Sequence, residues 1–352
     1  MAKTKKIQVP FKQVIADLLD NSKPFSPTHL HRFSDIDPAD LASVRLAWPQ
    51  VPADRRLSLL EDLEDLSDSD TLVSFDDLAR FALEDNDPRV RAAAIRLLWE
   101  SEDARLIPIF IKLMRSDSDE TVRATAAGGL GLFVYLGEVE VIPEDKLKQV
   151  EESLLSIYQG QDKPIVRRRA LEALGYSSRD EVPAFMESAY ASGDKDWMAS
   201  ALFAMGRSAD DRWEKQVLAM LDHPEPDVML EAIRAAGELE LNEARKPLLE
   251  LVNENEELDV DLRSAAIWSL SQIGGEGVRE LFEKLADETE DDDEEFIIEE
   301  AIDNLNFKEG VGGLGMFDLI PKIDEEHTHI VDLNEGEEEE DDEEDLLYGT
   351  KN

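Results

Sequence analysis

The sequence predicts an all-α solenoid of about eight stacked helix pairs, and three observations carry the prediction. One pattern recurs along the chain: an apolar residue, a frequent Arg beside it, Ala four places on, often a small residue at seven and often Gly at nine. Adjacent copies lie about 31 to 34 residues apart, with one gap of about 44 between Val122 and Val166; periods of this size signify stacked helix pairs. Between the copies run segments with helical apolar periodicity, so that helix and turn account for nearly every residue from about 40 to 306.

Residues 1–37 form an N-terminal flank. Its amphipathic stretch, Phe11 to Leu19, is expected to be a capping helix or docking arm, followed by a Pro-, Ser- and His-containing loop. The repeat region, 38–307, opens on a degenerate copy at Arg56-Leu57 with Leu60. Fuller copies follow at Val90-Arg91 with Ala94, Val122-Arg123 with Ala126, and Val166-Arg167 with Ala170. Three more stand at Trp197-Met198 with Ala201, Val228-Met229 with Ala232, and Leu262-Arg263 with Ala266, and a last degenerate one at Phe296-Ile297 with Ala301. Small residues at every third and fourth place make a smooth stripe against which the next helix can approach closely. Pro88, Pro164 and Pro226 suit the first helical turn, and acidic groups near them favour the positive end of the helix dipole. Gly at nine is expected to take the left-handed conformation of a helix cap. The intervening helices are placed at Leu106 to Met114, Leu147 to Tyr158, Val182 to Tyr190, Trp213 to Leu221, Ala244 to Val252 and Val278 to Leu285.

The run Glu120-Thr121-Val122-Arg123-Ala124-Thr125-Ala126-Ala127-Gly128-Gly129-Leu130-Gly131 resembles the HEAT-repeat signature, particularly that of the short bacterial type also called PBS-lyase HEAT-like. So does Ile165-Val166-Arg167-Arg168-Arg169-Ala170-Leu171-Glu172-Ala173-Leu174-Gly175. The resemblance covers about three quarters of the chain and implies a right-handed α-solenoid. It implies little about function, because such arrays serve many unrelated tasks.

From about residue 308 the repeat pattern is lost. Residues 308–352 are expected to be a flexible, disordered acidic tail, because the run from Glu335 to Asp345 has almost no apolar area to bury. It ends in Leu346-Leu347-Tyr348, which reads either as a docking motif or as part of a solubilising tail. The 352 residues carry a formal net charge of -45 and no cysteine. That charge disfavours direct binding of nucleic acid or anionic membranes and favours basic partners. Without cysteine there is no disulfide frame, thiolate zinc site or thiol nucleophile, which suits a cytoplasmic protein. No apolar run follows the N-terminal lysines and none elsewhere is long enough to span a bilayer, so neither a secretory signal nor a membrane span is expected.

Catalytic patterns are missing. There is no Gly-rich phosphate loop ending in Lys-Ser or Lys-Thr and no nucleophile elbow. The pairs His29/His31 and His327/His329 fall in expected loops, so no metal site, and no cofactor, is predicted there. Deoxyhypusine hydroxylases, enzymes built on these repeats, hold iron with His-Glu pairs, and this chain has no His-Glu dipeptide. Arg91, Arg123, Arg167 and Arg263 are expected to pair with carboxylates in neighbouring turns as a structural ladder, interrupted where Met198 and Met229 replace the Arg.

The position two after the recurring Ala should look out from the concave face. It is filled by Arg96, Gly128, Glu172, Phe203, Arg234 and Trp268; the position one before the Ala includes Arg169. Arg169, Phe203, Arg234 and Trp268 are therefore the candidate partner-binding residues, an aromatic and Arg strip of the composition found at binding hot spots. The competing reading buries Phe203 and Trp268 between repeats. Together these features predict a monomeric, non-enzymatic scaffold or adaptor that holds a basic or mixed-charge protein. The alternatives are a chaperone-like or nucleic-acid-mimicking regulator acting through the tail, and an accessory to an enzyme such as a lyase.

Overall fold

In the computed structural model, residues 9–255, 258–289 and 291–313 are described, and every regular element among them is helical. Residues Met1–Phe307 make one compact unit and Lys308–Asn352 another. The acidic run, the Leu346-Leu347-Tyr348 cluster and the pair His327/His329 lie outside the described residues.

The first unit opens with α1 (Phe11–Leu19), followed by a 3-10 helix over Pro27–Phe33 where the sequence suggested a loop. The 3-10 helix forms because Leu30 and Phe33 are buried there, with Phe33 edge-on to Phe11 at 5.9 Å between ring centroids. Arg55 clamps this flank by donating to the carbonyls of Asp17, Leu18 and Lys23 at 2.7 to 2.8 Å.

Eight helix pairs follow. They are α2 (Pro38–Ala47) with α3 (Ala53–Ser69), α4 (Asp76–Ala82) with α5 (Pro88–Arg96), and α6 (Ile107–Ser116) with α7 (Glu120–Gly129). An extra helix, α8 (Gly131–Glu138), precedes α9 (Glu144–Tyr158) with α10 (Pro164–Ala173). The rest are α11 (Val182–Tyr190) with α12 (Lys195–Arg207), α13 (Glu214–Leu218) with α14 (Pro226–Glu238), α15 (Arg245–Glu254) with α16 (Val260–Ile273), and α17 (Val278–Glu288) with α18 (Asp292–Gly313). Helix α8 accounts for the one long interval in the repeat. Its Phe133, Val134 and Leu136 are buried in the common core, while Tyr135 stays exposed.

The second helix of each pair carries the repeated pattern. Pro88, Pro164 and Pro226 stand in the first turns as the sequence suggested, and Asp87, Asp119, Asp194 and Asp259 cap their helices by accepting backbone N–H bonds. From α3 to α16 these patterned helices pack directly on one another, whereas successive outer helices touch less. The side of closest approach is the inside of the curve, so the patterned helices line the concave face.

Two small-residue columns make this approach possible, and they correct the expected role of Gly. None of Gly131, Gly175, Gly206 and Gly237 has a positive φ; a positive φ occurs instead at Gly274, past the end of α16. A Cβ on Gly175 would stand 2.9 Å from the Cα of Ala204, one on Gly206 2.9 Å from that of Ala235, and one on Gly237 2.8 Å from that of Ser269. A Cβ on Gly131 would likewise meet the Cα of Ala173 at 3.3 Å. The Gly at nine in one repeat is thus seated against the small residue at seven in the next. These glycines serve backbone contact between helices, not caps.

The Arg ladder forms on the other edge of the same helices. Arg91 makes a two-pronged pair with Asp117 at 2.7 and 2.9 Å and donates to the Asp85 carbonyl of its own repeat. Arg123 repeats this with Asp162 and the Asp117 carbonyl, while Arg263 holds Glu294 by its Nε alone, at 2.6 Å, and donates to the Val252 carbonyl. Arg167 departs from the expectation. It keeps the carbonyl bond, to Tyr158, but its guanidinium lies against the rings of Trp197 (5.4 Å) and Tyr158 (5.9 Å). Trp197 occupies the apolar column of the next repeat and replaces the carboxylate rung by a cation–π contact.

Candidate functional site

Along the concave face, α5, α7, α10 and α12 with the insertion helix α8 enclose an open groove of about 790 Å³. Its walls are aromatic: Trp99 just beyond α5, Tyr135 of α8, Tyr176 beyond α10 and Phe203 of α12. Trp99 and Tyr135 remain 43% and 44% exposed. Such area left in water forgoes burial worth about 25 cal/mol per Å².

Local sequence sets this geometry. Gly128 and Gly129 close α7 with no side chain toward Trp99. A Cβ at Gly129 would come within 3.0 Å of the indole and 3.1 Å of the buried Phe110 ring, so the doublet provides the floor on which Trp99 lies. Tyr135 meets Tyr176 with ring centroids 5.3 Å apart. Burial raises the Tyr176 phenol above its ordinary value, although Arg207 opposes this. The Arg207 guanidinium lies 4.0 Å from the Phe203 centroid and 5.0 Å from that of Tyr176.

A second groove of about 400 Å³ continues along α10, α12 and α14 and shares Arg169, Glu172 and Phe203 with the first. Its polar groups are mostly paired. Glu172 is buried, accepting hydrogen bonds from Arg169 and from the Ser200 hydroxyl at 2.6 Å. Arg234, half exposed, pairs with Glu231 at 2.9 Å. Burial raises the Glu231 carboxyl above its usual range; Arg234 opposes the shift and the nearby Glu172 and Glu238 reinforce it.

Of the four residues singled out from the sequence, the structure brings three together. Arg169 and Phe203 line both grooves and Arg234 the second, whereas Trp268 of α16 lines neither and is 43% exposed on its own. Phe203 is only partly buried, so neither aromatic is sealed between repeats. Column reading missed Trp99, Tyr135, Tyr176 and Arg207, which come from helix ends and the insertion. Two signals pointed to them: the Gly128-Gly129 doublet where other copies carry a side chain, and the long interval that encodes α8. Among the described residues no group of His, Asp and Glu is placed to hold a metal ion, and no helix is long and apolar enough to cross a membrane.

Comparison with known proteins bears on the architecture. Among solved structures, the E. coli protein YibA shares 16% identity over 79% of this chain and 95% of its own, with a TM-score of 0.39. Human deoxyhypusine hydroxylase in complex with glycerol shares 18% over 75% of this chain and 95% of its own, with a TM-score of 0.33. Importin beta shares 13% with a TM-score of 0.38; 84% of this chain spans 46% of importin beta. At such identities and scores these likenesses carry no argument, and among the comparisons the family rests on the repeat model alone. No curated protein sequence matches the chain. The model for HEAT repeats matches residues 75–144, 182–261 and 214–303, more than half of the chain. With eight stacked helix pairs whose inner helices carry the repeated pattern, the chain belongs to the HEAT-repeat family.

Proposed function

We propose that this protein is a monomeric, non-enzymatic scaffold, acting in the cytoplasm, that seats a segment of a basic or mixed-charge protein partner on its concave face. The observation that carries this reading is the convergence of Trp99, Tyr135, Tyr176 and Phe203 with Arg96, Arg169 and Arg207 on one open groove. Aromatics and Arg dominate the energetics of protein interfaces, and a groove spanning four successive inner helices suits an extended segment better than a small compact ligand. The formal net charge of -45 would steer basic regions of the partner toward the solenoid, while the groove supplies the short-range contacts. Arg234 extends the site along α14; Trp268 would engage only a partner reaching two repeats further.

Affinity capture at low and high salt tests this, comparing the full chain, a chain ending at residue 307, and the double substitution Trp99→Ala/Phe203→Ala. The reading expects one partner to be retained by the shortened chain through high salt and lost from the double variant. A partner lost on shortening and indifferent to the groove substitutions would instead assign recognition to the acidic C-terminal residues.

A further inference from the structure

Within the groove, one guanidinium has no acceptor. Arg207, the last residue of α12, is held between the rings of Phe203 and Tyr176. Its Nε is buried without a hydrogen-bond partner, and no carboxylate among the described residues forms an ion pair with it. The other arginines of the two grooves have carboxylate partners, Arg96 in Glu64 at 2.8 Å, Arg168 in Asp196 at 3.2 Å, Arg169 in Glu172 and Arg234 in Glu231, although Arg168 also leaves its Nε unpaired. Arg207 favours the charged form of Glu238 across the α12–α14 contact without hydrogen-bonding it. The Nε is covered by protein atoms, so an acceptor in the groove would meet the terminal nitrogens of this lining residue, which no acceptor among the described residues holds. Ring contacts fix the plane of the guanidinium, and a fixed fork matches a carboxylate two-prong to two-prong.

We propose that the groove recognises an extended protein segment through an internal Asp or Glu side chain that pairs with Arg207, its apolar neighbours packing on Trp99 and Tyr135. The inference rests on the reading of the groove given above and adds to it the sign of the contacting residue, which is opposite to the sign that the whole-molecule charge attracts. An internal side chain is favoured over a chain terminus because the second groove continues from the first through Arg169, Glu172 and Phe203, so a segment passes through rather than ends there. A single charge is favoured over a doubly charged group because Glu100 and Glu172 also border the site. The remaining acidic surface works against any anion, but at about 0.15 M salt charges beyond roughly 8 Å are largely screened.

The test uses fluorescein-labelled peptides of alternating leucine with glutamate, glutamine or lysine, blocked at both ends, and the glutamine peptide with a free C-terminus. Binding to the full chain is read by anisotropy at about 0.15 M salt. The glutamate peptide is expected to bind about tenfold tighter than its glutamine counterpart, the worth of one charge-assisted bond. Arg207→Gln should erase that difference, and Trp99→Ala should weaken both peptides. The glutamate–glutamine comparison on the unaltered protein decides the matter even if a variant folds poorly. Equal binding of those two, or tighter binding of the lysine peptide, with dependence on Trp99 retained, overturns the carboxylate assignment and leaves the groove standing. Tightest binding by the free-ended peptide overturns the choice of an internal side chain. Binding of no peptide overturns this proposal and the groove reading together.

Discussion

Replacing Gly206 by Ala probes the feature on which the concave face is built. Gly206 lies in α12 with an ordinary helical backbone, so local propensity alone makes Ala the better residue by about 1 kcal/mol. The added Cβ, however, would stand 2.9 Å from the Cα and 3.2 Å from the Cβ of Ala235, and 2.5 Å from a Glu238 carboxylate oxygen. Glu238 is the tip of a side chain and can swing aside. Ala235 Cα belongs to α14 and cannot. Carbon atoms attract best at about 3.5–4.0 Å, so the two helices must separate by about half an ångström or more and lose contact along their length. Overpacking of this kind costs about 1–3 kcal/mol, and after the propensity gain of about 1 kcal/mol a net loss of up to about 2 kcal/mol, centred near 1, is expected. Gly128→Ala is the internal control. Its Cβ would meet Trp99 at an ordinary 3.5 Å, so that variant should be neutral or up to about 1 kcal/mol more stable. Urea unfolding followed by circular dichroism measures both, with hydrogen exchange in α12 and α14 guarding against piecemeal unfolding of the array. A Gly206→Ala protein as stable as the parent, or more so, would refute the reasoning.

Other consequences follow from the same geometry. Asp117→Ala breaks a two-pronged, largely buried pair with Arg91 and should cost about 2–4 kcal/mol near neutral pH in thermal or urea unfolding. Burial raises the Asp117 pKa, but the Arg91 and Asp119 N–H bonds outweigh it and leave it below 3.8. The deficit should therefore be full above that pH and shrink as pH falls below it. Glu231 has the opposite sign: burial raises its pKa, so its charged form costs stability at neutral pH and that cost disappears on acidification. The stability of Glu231→Gln relative to the parent should accordingly rise as pH climbs from acid to neutral; a flat difference across that range would contradict the assignment. Trp268→Ala removes a ring that is 43% exposed and should cost about 1–3 kcal/mol from its buried half, leaving peptide binding in the main groove unchanged.

Much of the fold was legible because each repeat states the same physics again. The period located the inner helices, apolar spacing located the outer ones, and the recurring Arg announced a ladder that Arg91, Arg123 and Arg263 form. What the pattern concealed was the partner of each recurring group. Gly at nine looks like a cap from one repeat alone; only the stacked array reveals that Ala204, Ala235 or Ser269 of the next repeat presses against it. Arg167 looks like its neighbours, yet Trp197 in the following copy changes what it meets. The groove was half legible. Phe203, Arg169 and Arg234 fall in columns that periodicity can project, whereas Trp99, Tyr176 and Arg207 sit at helix ends and Tyr135 on an insertion, where helical phase no longer says which way a side chain faces.

Site-specific photo-crosslinking tests the central claim most directly. A benzophenone amino acid placed at Tyr135 or Phe203, in the groove, is compared with one placed at Lys112 or Lys148, exposed on the outer helices α6 and α9. The account predicts adducts with one and the same protein from both groove positions and none from the outer ones, and predicts that Trp99→Ala diminishes them. Adducts from Lys112 and Lys148 alone, or equally from all four positions, would contradict recognition on the concave face.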